Sequence, residues 1–408
     1  MTITCGRTTC GRTTCGRTRL VASVATYALL GISITPASAQ QTTVDVLSFL
    51  LTNRTIITGD FDRDAQASAT TRDTIATFLT QELATLPVSS SSSGFTYRLD
   101  NSLGTVIRSS DSFGPFYTER SLTDGQNRAS FGIGYQSTMY QSIDGRNLRD
   151  GTLVSTAAIL RGDSQPFDVE TVSLRIRTDA MTVTGNYGIT DRLDVGVAVP
   201  FVRLNLQGER FDTYRGQSFL QATGAASASG IGDIVARVKY NVYREGASGV
   251  SLGAETRFPT GDETNLLGAG EMSFAPRIIG SAEGERVGFH GEMSYVLHGV
   301  SNALGYGAAL TVAAAPRFTV VGEFFGRRVE GLGRLVSTTL PHPRLIGVDT
   351  VRLTGVEETT DRIVVVAGFK WNVSGTWLLT ANVLRPITDV GLNASWVPTV
   401  TFDYSFGG

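Results

Sequence analysis

The sequence predicts an all-β fold: a transmembrane, antiparallel, up-and-down β-barrel of about 12 strands, preceded by a short periplasmic or plug segment that contains a helix. Two observations support this. Apolar and polar residues alternate in successive runs from residue 128 onward, and the connections between runs are in turn short and long. Charged residues make up only 18% of the chain, against roughly 25% in soluble domains.

The last run, residues 395–406, shows the alternation most clearly. Every second residue is apolar, which places these side chains on one face of a strand: Trp396, Pro398, Val400, Phe402, Tyr404 and Phe406. We expect this strand to pair with the first run and to close the barrel. Phe406 resembles the terminal aromatic signal that outer-membrane assembly machinery reads, displaced here by Gly407 and Gly408.

Twelve runs are predicted to form the barrel, and they cover residues 129–141, 169–189, 193–201, 233–243, 249–258, 271–283, 287–297, 304–314, 318–329, 362–373, 376–385 and 395–406. In the second run the apolar set changes from even to odd positions, which predicts a bulge near Asp179. Residues 207–230 and 331–359 are predicted to be long loops. A soluble sandwich has less reason to sort its connections by length, so the pattern favours a membrane barrel.

Residues 1–39 have the features of a cleaved signal peptide. Four arginines and no acid precede a short apolar run, 20–34, and Ala37-Ser38-Ala39 predicts cleavage before Gln40. The run is too short to serve as a membrane anchor. The repeat that contains Cys5, Cys10 and Cys15 is either the basic part of the signal or a translated repeat upstream of the true start. A metal-binding tract is disfavoured because no histidine accompanies these cysteines.

Residues 40–127 differ from the strand series. Helical spacing of Ile75, Phe78, Leu79, Leu83 and Leu86 predicts a helix over 71–86 that Pro87 ends. The apolar run 44–51 is ambiguous, serines 89–93 indicate a linker, and 95–107 predict a hairpin. Two interpretations stay open: a periplasmic extension, or a segment that plugs the barrel lumen.

The charged residues assigned to the inner face are of mixed sign. They are the pore-lining candidates Arg175, Arg177, Asp194, Asp233, Arg237, Lys239, Glu255, Arg257, Glu292, Glu323, Arg327, Lys370 and Asp403. Such groups either pair with each other in a filled lumen or set the field of a water-filled or gated path. We expect no cofactor and no metal site.

Two other classes of protein receive little support from the sequence. The formal net charge is −2, and four of the basic residues belong to the predicted signal peptide, so a nucleic-acid binder is disfavoured. Catalysis would have to use His290, His298 or His342. His298 lies three residues from Ser301, but no G-x-S-x-G motif accompanies them.

Two short motifs carry a family resemblance. Gly230-Ile231-Gly232-Asp233 opens the run GIGDIVARVKYNV, and Pro259-Thr260-Gly261-Asp262 follows the next strand. With a later GFKWNV strand and an aromatic-rich end, residues 170–406 resemble the MetA-pathway phenol-degradation family of proposed outer-membrane transporters. The resemblance implies a barrel that admits small hydrophobic or aromatic compounds and has no catalytic residues.

Together these observations predict a monomeric channel in the outer membrane of a Gram-negative cell. It would take up small, hydrophobic or aromatic solutes passively, and its partners would be membrane lipid, the solute and the assembly machinery. A structural or adhesive surface barrel without transport is the first alternative, and a barrel hydrolase is the second.

Overall fold

The computed structural model describes residues 41–52, 63–84, 87–91, 94, 97–100, 105–108, 110, 112–331 and 334–406. Residues Gln41–Gly408 form one compact unit. The predicted signal peptide lies outside the described residues, as do part of the serine linker and the turn of the predicted hairpin.

The described elements are two helices, twenty strands and one 3₁₀ turn at Glu263–Asn265. The helices are α1 (Thr43–Leu51) and α2 (Ala65–Ala84). The strands are β1 (Tyr97–Asp100), β2 (Thr105–Arg108), β3 (Ala129–Ile143), β4 (Arg146–Asn147), β5 (Leu153–Leu160), β6 (Asp168–Thr190), β7 (Leu193–Tyr214), β8 (Gln217–Ile231), β9 (Ile234–Glu245), β10 (Ser248–Phe258), β11 (Ser273–Glu283), β12 (Val287–His298), β13 (Ala303–Ala315), β14 (Phe318–Val329), β15 (Arg334–Pro341), β16 (Val348–Val356), β17 (Thr360–Ser374), β18 (Trp377–Pro386), β19 (Leu392–Ala394) and β20 (Val397–Phe406).

Twelve strands form a closed antiparallel ring. In ring order they are β3, β6, β7, β9, β10, β11, β12, β13, β14, β17, β18 and β20. Each corresponds to one of the twelve predicted runs, so the predicted strand number is confirmed. The last strand closes the ring against the first, with Phe406 opposite Ala129, as predicted.

Six further strands extend the ring at the end where the connections are long. β6 and β7 are 23 and 22 residues long, whereas the other strands of the ring have 10 to 15 residues. At this end β6 pairs with β5 and β7 pairs with β8. β5 pairs in turn with β16 of the hairpin β15–β16. We call β5, β8, β15, β16 and residues 168–179 and 203–214 the collar.

The predicted loops 207–230 and 331–359 are therefore wrong, because both segments are largely β-hairpins of the collar. The first turns at Arg215 and Gly216, whose φ angles of 48° and 80° are those of a tight hairpin turn. Residues 222–230 of β8 are all small, with Ala222, Ala226 and Ala228 on the inward face, so this stretch lacks the large apolar residues that mark a membrane strand.

The rest of the barrel, which we call the belt, has an apolar outer face. Outward side chains of many kinds are exposed there, among them Phe131, Ile133, Val195, Val197, Phe289, Met293, Trp371, Trp377 and Trp396. The belt strands are 10 to 15 residues long where they carry no collar extension. None of the helices in the described residues has the length and hydropathy to cross a bilayer.

No bulge lies near Asp179, contrary to the prediction. Pairing of β6 with β3 and β7 runs through this region without a register shift. Even-numbered residues of β6 face inward along its whole length, so Val172, Leu174 and Ile176 are buried inside, whereas Met181 and Ile189 are exposed outside. The same set of residues faces inward throughout the strand. What changes along it is which face carries the apolar side chains: the inner face before Asp179 and the outer face after it.

The two helices fill the inside of the collar. Thr42 caps α1 in a capping box with Asp45, which resolves the ambiguous run as a helix. Asp64 accepts hydrogen bonds from Gln66 N and Ala67 N at the start of α2, so this helix begins before the predicted residue 71. Their apolar faces pack with the inner face of the collar in one core: Leu47, Leu50, Ile75, Leu79, Leu174, Leu204, Leu206 and Leu353.

Candidate functional site in the barrel lumen

Residues 112–124 lie inside the belt near its short-turn end. The carboxylate of Glu323 accepts hydrogen bonds from the backbone N–H groups of Phe116, Tyr117 and Thr118. Thr123 Oγ1 donates to Asp191 O at 2.7 Å, and the backbone N of Asp124 donates to Asp194 Oδ2 at 2.9 Å. Side chains of the barrel wall thus satisfy the backbone of an extended segment that has no strand partner of its own.

Glu119 carries this segment into a network of basic side chains. Its carboxylate lies 3.4 Å from Arg237 Nη1 and 3.6 Å from Lys239 Nζ. It also accepts bonds from Ser91, on the chain that leaves α2. Burial alone raises the pKa of Glu119, but the charges of Lys239, Arg237 and Arg277 outweigh it and leave the pKa below its ordinary value.

Glu255 is the centre of the wall network. Three arginines from adjacent strands contact its carboxylate: Arg237 at 2.9 Å, Arg257 at 3.2 Å and Arg277 at 2.8 Å. Arg277 also lies 3.5 Å from Glu292. All these side chains are largely buried, so each charge depends on its partners.

A cavity of about 300 Å³ lies beside this network, between the wall, the end of α2 and residues 87–88. Its lining combines apolar groups with both signs of charge. Representative lining residues are Glu82, Val88, Tyr117, Glu255, Arg277, Phe325, Arg327, Arg362, Val364 and Leu384. Its volume is at the lower end of the range of small-molecule sites in proteins.

Eleven of the thirteen pore-lining candidates lie on the inward face with buried or half-buried side chains: Asp194, Asp233, Arg237, Lys239, Glu255, Arg257, Glu292, Glu323, Arg327, Lys370 and Asp403. Arg175 and Arg177 do not, and that part of the prediction is wrong. They lie on the outer face of the collar, where Arg177 pairs with Asp179 at 3.0 Å. The error follows from the bulge that was expected and is absent. Whether the other eleven line a pathway stays a prediction.

The two family motifs contact each other at the rim of the belt. Asp233 of the first motif accepts hydrogen bonds from Gly261 N at 3.0 Å and Ala269 N at 2.8 Å. Thr260 of the second motif bonds to Gly232 O and Ile234 N. These hydrogen bonds hold the loop 259–270 over the lumen. The role that the structure shows for Asp233 is to accept hydrogen bonds from the backbone of this loop.

The three histidines have different surroundings, and the contacts described here do not join them into a catalytic group. His290 is buried between Ser281 and Thr311, at 3.0 and 3.3 Å. His342 Nδ1 accepts backbone N–H groups of its own loop. His298 begins a tight turn with φ 64° and lines the cavity. Within the described residues, no cluster of three or more His, Cys, Asp or Glu is suited to a metal ion.

Sequence reasoning missed four charged residues of this site. Arg362 has the same parity on β17 as the predicted Lys370, and Arg277 has the opposite parity on β11 to the exposed Phe274 and Ile278. A stricter count along each strand therefore finds both arginines. Glu82 and Glu119 belong to the N-terminal segment, where no strand period relates sequence position to the barrel interior.

The family model described as "Putative MetA-pathway of phenol degradation" matches residues 149–332. The family resemblance is confirmed over these residues, whereas the GFKWNV strand and the aromatic-rich end lie outside the match. The match spans β5 to β14, and so includes both motifs and much of the charged network.

Solved structures with a similar fold are outer-membrane proteins of low sequence identity. An outer membrane channel from Pseudomonas putida F1 is 14% identical over 70% of this chain and 98% of that one, with a TM-score of 0.41. A FadL homologue from Pseudomonas aeruginosa is 8% identical over 69% and 90%, with a TM-score of 0.34. The toluene transporter TbuX from Ralstonia pickettii is 10% identical over 69% and 90%, with a TM-score of 0.27. Curated protein sequences yield no match.

Proposed function

We propose that this protein is an outer-membrane channel for the passive uptake of small solutes, with the N-terminal segment as its plug. The observation that carries the proposal is the belt: a closed ring with an exposed apolar outer face and a polar, charged lumen that holds a cavity. A bilayer requires that every backbone edge be paired, and a closed ring meets that requirement. Lipid is the natural neighbour of the belt's outer face.

The plug role is supported by where the N-terminal segment makes its contacts. α1 and α2 pack inside the collar, and residues 112–124 bind the wall at the short-turn end. The cavity lies between these two obstructions. For a solute to pass, the segment has to shift, and its ion pairs with Arg237 and Lys239 have to open.

A liposome swelling assay with graded neutral and aromatic solutes tests the channel. A reversible staple on the full chain tests the plug. The backbone N of Ser121 donates to Ser281 Oγ at 2.9 Å, so the two residues are in contact, in a region that otherwise has no cysteine. Ser121→Cys with Ser281→Cys is therefore a candidate pair for a reversible disulfide staple, and a thiol titration of the oxidised protein checks that the bridge has formed. We expect the oxidised protein to swell liposomes at least several-fold more slowly, and reduction to restore the rate.

The plug role and the channel function would be contradicted by different results. Swelling that the staple does not change contradicts the plug role. No swelling with any solute in the reduced protein contradicts the channel. The single variant Ser281→Cys, oxidised under the same conditions, is the matched control, because it changes the same wall position without a bridge.

A structural or adhesive surface barrel is the second candidate. The collar favours it, because its outer face is polar and Ile346 is fully exposed at the tip of the hairpin β15–β16. This candidate predicts no swelling in either redox state, together with retained surface display. No catalytic role is proposed.

A further inference from the structure

We propose that the lumen cavity binds small monocarboxylates with an apolar body, and that Arg327 and Arg362 hold the carboxylate. In the structure the carboxylate of Glu82 contacts both arginines. This inference rests on the proposed channel function, since it names the class of solute that the channel would take.

The two arginines are direct cross-strand partners. Arg327 on β14 and Arg362 on β17 are paired in register, and both side chains point inward to the cavity. Like charges directly opposite each other destabilise a sheet unless an anion lies between them. Guanidinium groups are planar forks that match a carboxylate in geometry. The wall alone therefore forms an anion-binding pair.

The anion between them belongs to the plug. Glu82, near the end of α2, forms ion pairs with Arg362 and, at 3.2 Å, with Arg327. Glu82 is largely buried, whereas the arginine side chains keep 16% and 24% of their exposure, so part of each faces the cavity. Arg362 is also fixed by a bond from Nη2 to Leu392 O at 2.7 Å. The two arginines are thus arranged around a carboxylate, and in the structure the N-terminal segment supplies it through Glu82.

An apolar wall adjoins the arginine pair. Phe325 and Val364 lie two residues along the same inward faces from Arg327 and Arg362, and both line the cavity with Leu384. Tyr117 packs on Phe325 with ring centroids 5.4 Å apart. An aromatic or short aliphatic body would fit against these side chains while its carboxylate meets the arginines. A wholly apolar solute would not compete with Glu82 for the two arginines.

Binding of a carboxylate would then compete with Glu82 and release the end of α2. The chain that follows α2 forms another wall of the cavity at Pro87 and Val88, and continues to Ser91, which bonds to Glu119. The solute's charge would therefore loosen the contact that holds the plug against the wall.

Calorimetric titration of the purified full-length protein with benzoate and benzamide tests this. The two probes have the same ring and nearly the same shape, but benzamide is neutral. We expect benzoate to bind at least about tenfold more tightly, and Arg362→Gln to remove that preference. The matched control is Arg328→Gln: Arg328 is one residue from Arg327 but faces outward, half exposed, near Asp361, so we expect it to keep the preference.

Glu82→Gln supplies a second readout that a merely structural role would not produce. Removing the internal carboxylate while keeping its size should raise benzoate affinity several-fold and leave benzamide affinity unchanged. This gain also separates the inference from any folding defect of the arginine variants. Equal affinity for the two probes, or a Glu82→Gln protein that binds benzoate no better, would overturn the inference.

The inference and the channel function fail in different ways. Benzoate selectivity in titration, with no liposome swelling by any solute, would leave the site intact and contradict transport. Swelling by neutral and anionic solutes alike, with no effect of Arg362→Gln on binding or rate, would leave the channel intact and overturn the carboxylate site.

Discussion

The belt and the collar are built from the same continuous strands but are inverted with respect to each other. In the belt the outer face is apolar and the lumen is polar. In the collar the outer face is polar and the interior is packed with apolar side chains, as in a soluble protein. The inversion occurs at one level around this side of the ring.

Cross-strand neighbours locate that level. The outward row Tyr135, Met181, Phe201 and Ile231 is apolar or aromatic and more than 40% exposed. The next outward row, two residues further along, is Ser137, Asp179, Arg203 and Ser229. Such a sharp change marks the edge of the hydrocarbon. The lesson is that the solvent of each face, and not the strand period, decides which residues are apolar.

The largest expected effect is at the base of the helices inside the collar. Arg63 forms ion pairs with Asp168, at 2.7 Å, and with Glu170 and Asp212, all buried. Arg63→Met removes the cation that three buried carboxylates share and leaves Glu170 only Arg210, at 3.9 Å. Breaking a buried ion pair in this way costs about 3–5 kcal/mol. We expect faster hydrogen exchange in α1 and α2, with the belt amides unchanged. Arg72→Met, at a half-exposed ion pair, is the control. Equal exchange in both variants would contradict a separately stabilised collar.

A medium effect compares the two outer faces directly. Val197 lies midway along the belt part of β7 and is 46% exposed on its outer face. Val197→Arg should lower the free energy of unfolding in vesicles by about 2–4 kcal/mol, because arginine would face hydrocarbon. Thr223→Arg, on the outer face of the collar opposite Glu209, should change it by less than about 0.5 kcal/mol. Similar losses at both sites would show that the collar is also in lipid.

The smallest effect concerns the boundary itself. Tyr135 OH donates to Asp179 Oδ1 at 2.8 Å, which ties the last aromatic of the belt to the first carboxylate of the collar. Tyr135→Phe should cost about 1 kcal/mol in urea unfolding from vesicles. A double-mutant cycle with Asp179→Asn isolates this bond. A coupling energy near zero would mean that the boundary residues are independent.

Strand number and ring closure could be predicted because the belt gives a clear signal of period two. Runs such as 234–242 and 396–406 alternate large apolar and polar residues, since one face meets lipid and the other the lumen. The collar gave no such signal. Ala222, Ala226 and Ala228 face inward, where α1 leaves little room: a side chain at Gly224 would come within 3.0 Å of Val46. Close packing requires small residues there, and a run of small residues lacks the alternation of large apolar and polar residues from which a strand is predicted.

The site was predictable only on the wall side. Asp233, Glu255 and Glu323 followed from strand parity, whereas Arg175 and Arg177 were assigned to the wrong face because apolar character was taken to mean lipid. Glu82 and Glu119 lie on a helix end and an extended segment whose position depends on the folded lumen. Their partners are far away along the chain, as for Glu119 and Arg237, which are 118 residues apart, and no local pattern encodes such a distance.

The course of the N-terminal segment also constrains how the barrel is made. Before β3 begins, the chain has already run inside the ring, from α1 among the collar strands to Asp124 near the short turns. The ring closes between β3 and β20, where Gln136 meets Thr399 across most of the chain length. A helix about 10 Å across would have to thread a narrow, lined opening if closure came first. We therefore expect the N-terminal segment to be enclosed while the sheet is still open. The last pairing, between β3 and β20, would then form around a chain segment that is already in place.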